Sequence, residues 1–195
     1  VHVPAWEAPD EIAHFQYVRH LCEQRSLPDQ IEFADGPDHA WESWQPPLYY
    51  LLLTPACWLG SLFRNSLVSL IMMRIMSLTF WIGSSFLLIR WNRQYGKSFG
   101  LPVVGFLLLY FFLPSFMMTT VTVNNDNAAC FLTVLLFCFF VRNDGKVNPW
   151  LWGIFLGLGL LTKLTTVVFF PVVLYRILKQ GSFKDILRFV FPCGI

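Results

Sequence analysis

The segment "SLVSLIMMRIMSLTFWIGSSFLLI", residues 66–89, decides the fold. It carries one charge, Arg74, in 24 residues. About 20 apolar residues suffice for a helix to cross the hydrocarbon core of a bilayer. A lone charge inside such a run is expensive without a partner or water. The segment is therefore read as a membrane helix. Arg74, one or two turns in from one end, is read as seeking an anion: Asp126, or whatever anion Lys163 holds.

Further apolar runs surround it, at 47–63, 101–121, 128–141, 150–162, 164–178 and 187–195. The chain is 55% hydrophobic with a mean hydropathy of +0.53, above the roughly 45–50% of globular domains. These runs predict an all-α, polytopic membrane bundle with about five to six spans. Gly153, Gly157 and Gly159 in 150–162 permit close helix contact. That run and 164–178 are expected to form a tight helical hairpin with "TKLT" at its tip.

Charge is divided sharply along the chain. Residues 1–47 hold nine acids and two bases, while the remainder holds three acids and twelve bases. All four histidines fall within the first 39 residues. The basic joints "RWNRQYGK", "VRNDGK" and "YRILKQGSFK" are assigned to the cytoplasm by the positive-inside rule. The joints near 64–66, 122–127 and 162–165 then face outward. Two readings are open for 47–63, "PPLYYLLLTPACWLGSLF" with its preceding proline: a short span, or a helix lying in the outer interface. Its length and ring-rich ends favour the second. Residues 1–65 then form an acidic outer loop with interfacial helices, and 66–195 form the bundle. The chain opens at Val1 without a signal sequence and ends inside the apolar run "RFVFPCGI". It is read as the N-terminal part of a longer protein. The five cysteines show neither CxxC nor metal-ligand spacing.

Within the acidic loop, Pro9 suits a first helical turn, and Ile12, Phe15, Val18 and Leu21 recur at helical spacing. One amphipathic helix over about 10–24 is predicted. Asp10 and Glu11 lie four and three residues before His14, so all three can share a face. That proximity suits a carboxylate acting on a proton, and equally a solvated face with acids at a helix N-terminus. In "VTVNNDN" (121–127), Asn125 and Asp126 stand among two further asparagines at the mouth of a helix. A cap needs one such residue, and four exceed that need. Lys163 sits on the side where positive charge is disfavoured. It marks an anion such as a headgroup-level phosphate, or it snorkels. "WESWQPPLYY" (41–50) contributes Gln45 and Tyr49 beside a bend fixed by two prolines.

In order, "APDEIAH", "QPPLYY", "VNNDN" and "GLGLLTKLT" resemble the membrane-embedded GT-C glycosyltransferases. The likeness is to the protein mannosyltransferase and aminoarabinose transferase group and its bacterial relatives, over nearly all 195 residues. The resemblance implies an enzyme moving a sugar from a polyprenyl-phosphate carrier to an acceptor on the outer face. It implies Asp10 as general base with Glu11 beside it, and Asp126 as the acid of the second outer loop. Lys163 would stand near the carrier phosphate, helped by Arg74 or a divalent metal ion. His14 would orient Asp10 or that metal. The implied partners are the polyprenyl-phosphate sugar donor and membrane lipid, with no nucleic acid. A transporter with a polar site at Asp126 is the rival class, and a non-catalytic membrane subunit is the third. A transporter favours ionisable groups at mid-membrane, whereas these lie at helix mouths.

Overall fold

The computed structural model describes residues 3–28, 41–99, 110, 112–142, 148–180 and 183–194. No strand occurs among them, and the architecture is all-helical.

Helix α1 (Glu11–Gln24) matches the expected amphipathic helix. Pro9 precedes the helix instead of entering its first turn, because Asp10 occupies the N-cap in left-handed conformation (φ 61°). The Asp10 side chain makes no cap hydrogen bond. Arg25, also left-handed, ends the helix by donating its N–H to Leu21 O at 3.1 Å. A left-handed residue supplying that bond is a common helix stop.

After a short 3₁₀ turn, Trp41–Trp44, helix α2 (Leu48–Ser61) carries the 47–63 run. Tyr49, Tyr50, Leu53 and Cys57 form its buried stripe, while Leu51, Leu52, Trp58 and Leu59 stay exposed. Helix α3 (Ser66–Phe99) then folds back along α2. A Cβ on Gly60 would lie 2.3 Å from Ser69 Cα, so the two backbones nearly touch near the turn. Further along, the Tyr49 hydroxyl meets Ser77 Oγ at 2.9 Å. The two helices are therefore antiparallel over this stretch.

Among the described residues, Ser66–Gly96 of α3 is the one helix long and apolar enough to cross a membrane. Residues 101–109 and 111 of the expected 101–121 span lie outside the described residues. The described part breaks at Leu113, which is extended (ψ 120°) before Pro114 opens α4 (Pro114–Thr120). Proline disfavours a helical residue immediately before it, so 101–121 is not a single unbroken helix. Helices α5 (Asp126–Arg142) and α6 (Pro149–Leu160) occupy the 128–141 and 150–162 runs. The 164–178 run is divided into a 3₁₀ turn, Leu164–Val168, and α7 (Phe169–Gln180). Helix α8 (Phe183–Cys193) closes the described chain. The glycines of α6 do allow close contact, but α8 uses most of it. A Cβ on Gly153 would lie 2.3 Å from Phe189 O, and one on Gly157 would lie 2.7 Å from Pro192 O. Only Gly159 faces the 3₁₀ turn, at Thr166.

Side-chain pairs fix the direction of each helix. Asn127 pairs with Ser77 and Phe137 with Trp91, so α5 runs parallel to α3. Phe139 stacks on Phe155 while Asn125 reaches Thr162, so α6 returns antiparallel. Arg176 of α7 donates to Phe140 O at 2.7 Å, which carries α7 back the same way as α5. The polar joints 121–127 and 161–163 consequently share one end of the bundle. Arg90, Arg93 and Arg176, and the Arg142 terminus of α5, lie toward the other.

Candidate functional site

Arg74 anchors the polar end. Its Nε and Nη2 donate to Glu11 Oε1 and Oε2 at 2.8 and 2.6 Å. Nη1 and Nη2 also donate to the carbonyls of Val3 and Pro4 at 2.8 and 2.9 Å. Glu11 is fully buried and accepts a further bond from the Val123 N–H at 3.0 Å. A two-pronged guanidinium–carboxylate contact is among the stronger polar pairings. Here it fastens the approach to α1 and the 121–125 joint onto α3. The charge within the span thus meets Glu11 and not Asp126. Glu11 is held in a structural pair, while Asp10, one residue earlier, is exposed.

Asp126 pairs instead with Lys163, whose Nζ donates to Oδ1 at 2.5 Å. The carboxylate is half exposed and the lysine largely covered. The neighbouring asparagines have separate tasks. Asn124 Oδ1 accepts the Asp126 N–H at 2.8 Å, which is the capping role. Asn127 Nδ2 donates to Ser77 Oγ and to the Thr119 and Thr122 carbonyls. Asn125 is buried, and its Nδ2 donates to Gln45 Oε1 at 3.1 Å and to Thr162 O at 3.4 Å. Gln45 is buried with it, and Tyr17 donates to the Gln45 carbonyl at 3.3 Å. Tyr49 is fully buried, and its hydroxyl meets both Ser77 Oγ and the Asn124 backbone of the joint. The Leu48 N–H donates to Leu161 O at 2.9 Å, which brings the 41–48 turn beside Lys163.

Two further groups complete the cluster. His14 is buried and shares a 2.8 Å hydrogen bond between Nδ1 and the Tyr50 hydroxyl. Burial, then the Lys163 charge, lowers its pKa to about 4 against the opposing pull of Asp126. The imidazole is accordingly neutral near pH 7. Glu42, in the 3₁₀ turn, is buried. Burial raises its pKa, the Gln45 hydrogen bond lowers it, Asp10 raises it, Lys163 lowers it and Asp126 raises it. Asp10, Asp126 and Lys163 thus all act on Glu42, bringing the first-loop and second-loop acids into one electrostatic neighbourhood. Sequence reasoning passed over Glu42. The available signal was an acid between two tryptophans, just ahead of the proline pair. Among the described residues, no three His, Cys, Asp or Glu side chains are arranged to hold a metal ion.

The neutral His14 has a measurable consequence. The unfolded chain binds the His14 proton below about pH 6.5, and the folded chain only below about 4. Protons therefore favour the unfolded state across that window, and stability falls as pH drops through it. The loss attributable to His14 is about 3 kcal/mol. The unfolding midpoint in detergent, followed from pH 7 to 4.5, should fall less steeply in His14→Gln. Equal slopes in the two proteins would show that His14 is not buried in neutral form.

Asp126 also borders a cleft of about 510 Å³ between α3, α4, α5 and the Leu164–Val168 turn. Trp81, Phe116 and Phe169 give it apolar walls, and Ser84, Thr119 and Thr166 give it hydroxyls. An apolar groove bordered by a charged carboxylate suits an amphipathic ligand. No curated protein and no solved structure matches the chain. The family described as Glycosyltransferase family 87 matches residues 45–187. That range holds Gln45, Arg74, Asn125, Asp126 and Lys163, while Asp10, Glu11, His14 and Glu42 precede it. With most of its length matched, including the cleft and the Asp126–Lys163 pair, the chain belongs to glycosyltransferase family 87, a family of membrane glycosyltransferases.

Proposed function

We propose that the protein transfers a sugar from a polyprenyl-phosphate carrier to an acceptor on the extracytoplasmic face, with a GT-C type of architecture crossing the membrane several times. The observation that carries this reading is the amphipathic cleft bordered by Asp126, with Lys163 paired to that carboxylate. The cleft would take the first isoprene units, and Lys163 would leave Asp126 for the carrier phosphate. Asp10, exposed and within electrostatic range of Glu42, would take the proton from the acceptor hydroxyl. The acceptor oxygen then bonds to the anomeric carbon as the carbon–phosphate oxygen bond breaks. The electron pair leaves on the phosphate, where Lys163 stabilises the developing charge. Arg74 acts by holding the two loops together, and Glu11 serves as its partner.

Charge supports the membrane orientation. The acids and Lys163 gather at one end of the bundle, and Arg90, Arg93 and Arg176 lie toward the other, as the positive-inside rule requires for an extracytoplasmic site. Exposed Ile71, Ile75, Ile82, Phe86 and Ile89 along α3 suit a lipid-facing stripe. Residues 1–65 are then the first outer loop, with α2 packed along the outer end of α3. A single cysteine at the exposed Arg64 should react with an impermeant maleimide added outside intact cells. Reaction only after the cytoplasmic face is opened would place α2 across the membrane.

The transferase reading is tested with the full-length protein in detergent, offered radiolabelled polyprenyl-phosphate hexoses and a membrane extract as acceptor source. Label should leave the lipid for a new product. Transfer from nucleotide sugars alone would reject the lipid donor. Lys163→Ala should lower kcat/KM for the lipid donor by roughly 10–100-fold, the worth of one charge-assisted bond. A change confined to the acceptor KM would remove Lys163 from the phosphate.

A further inference from the structure

Among the described residues, two buried acceptor atoms in the cluster have no hydrogen-bond partner: Glu42 Oε2 and Asn125 Oδ1. Their residues are 5% and 1% exposed. Buried polar atoms are nearly always paired, and one left unpaired carries its full desolvation cost. Gln45 links the two. It bonds the Glu42 side chain, and its Oε1 accepts from Asn125. Asn125 adjoins Asp126, which borders the cleft, and Lys163 acts on Glu42 as well. The unpaired atoms therefore stand beside the place where the carrier phosphate would sit.

Resting on the lipid-donor reading above, we propose that Glu42 and Asn125 form a subsite for the hydroxyls of the transferred sugar. A pyranose carries adjacent hydroxyls on a rigid ring, each able to donate to one of these oxygens. The Gln45 amide fixes the spacing of the two acceptors, and Thr162 O holds Asn125 in place. A site built to pair with a hydroxyl discriminates strongly against a ligand that lacks it. The phosphate and lipid ends of the donor bind elsewhere, at Lys163 and in the cleft, so sugar recognition is separable from carrier recognition.

The test measures binding without turnover, using the full-length protein in nanodiscs. Two probes carry the same charge: a polyprenyl-phosphate hexose and the corresponding polyprenyl methyl phosphodiester, which has no sugar. Wild type should bind the hexose form at least roughly tenfold more tightly. Glu42→Leu and Asn125→Leu should each erase that preference while keeping the affinity for the methyl phosphodiester, which a misfolded chain would not keep. Glu42→Gln, which retains hydrogen-bonding capacity, should keep part of the preference. Equal affinities in wild type, or a preference surviving in both leucine variants, would overturn the subsite. If the leucine variants lose both probes, monodeoxy hexose lipids on wild type decide. A drop of about tenfold or more at one ring position supports the subsite, and a flat series overturns it. Wild type binding neither lipid would reject the donor reading itself, and the subsite with it.

Discussion

Asp10→Asn should lower turnover of the full-length enzyme by roughly 10²–10⁴-fold, the usual worth of a general base, and leave the fold intact. The substitution is nearly isosteric and removes the proton-accepting charge. Asp10 holds a left-handed backbone conformation (φ 61°), which asparagine tolerates as well as aspartate does. Its side chain makes no cap bond, so no structural contact is lost at that point. A fall in kcat with an unchanged unfolding midpoint is therefore expected. Glu11→Gln should behave in the opposite way, since Glu11 is clamped by Arg74 and the Val123 amide. Its main effect should be on stability. Near-normal turnover in Asp10→Asn, with the protein folded, would take Asp10 out of the chemistry and move attention to Glu42, which lies near it.

Arg74→Met should destabilise the protein by about 3–5 kcal/mol, because it leaves the Glu11 carboxylate buried without its counter-ion. Glu11 is fully buried, while the Arg74 side chain is 17% exposed. The approach to α1 also loses its fastening to α3 at the Val3 and Pro4 carbonyls. The double variant Glu11→Leu with Arg74→Met should recover much of the loss, since an apolar pair replaces a buried ion pair with little penalty. Unfolding midpoints of the four proteins in a double-mutant cycle give the coupling directly. Additive single effects would show that the pair contributes little.

The helices were legible where periodicity was local. The Ile12, Phe15, Val18 and Leu21 spacing located α1, and the uninterrupted run after Ser66 located α3. Proline chemistry explains the break at Leu113, and Pro114 was visible in the sequence. The division of 164–178 at Phe169 had a similar marker in Pro171, which falls in the first turn of α7. The glycines of α6 announced close packing without naming α8 as the partner, since a small residue marks a gap and not what fills it. At the site, the three residues of "NNDN" beyond the one a cap needs were informative: each side chain has its own task, and only Asn124 acts as the cap. The partner of Arg74 could not be read, because Glu11 lies 63 residues away and several acids were candidates. Glu42 was hidden among the other loop acids, because burial is a property of the assembled fold. The motif order resembled the mannosyltransferase and aminoarabinose transferase group, and the family found is family 87. The enzyme class was thus readable from the motifs and the branch was not.

The central claim is transfer from a lipid-borne sugar at the extracytoplasmic end of the bundle. It is tested most directly in sealed proteoliposomes of known orientation, with a labelled polyprenyl-phosphate hexose confined to one leaflet. The account predicts transfer, with one polyprenyl phosphate released per sugar moved, only when donor and acceptor are on the side of Asp10 and Asp126. Transfer that requires the donor on the Arg90 and Arg176 side, or that proceeds from a nucleotide sugar without the lipid, would contradict it.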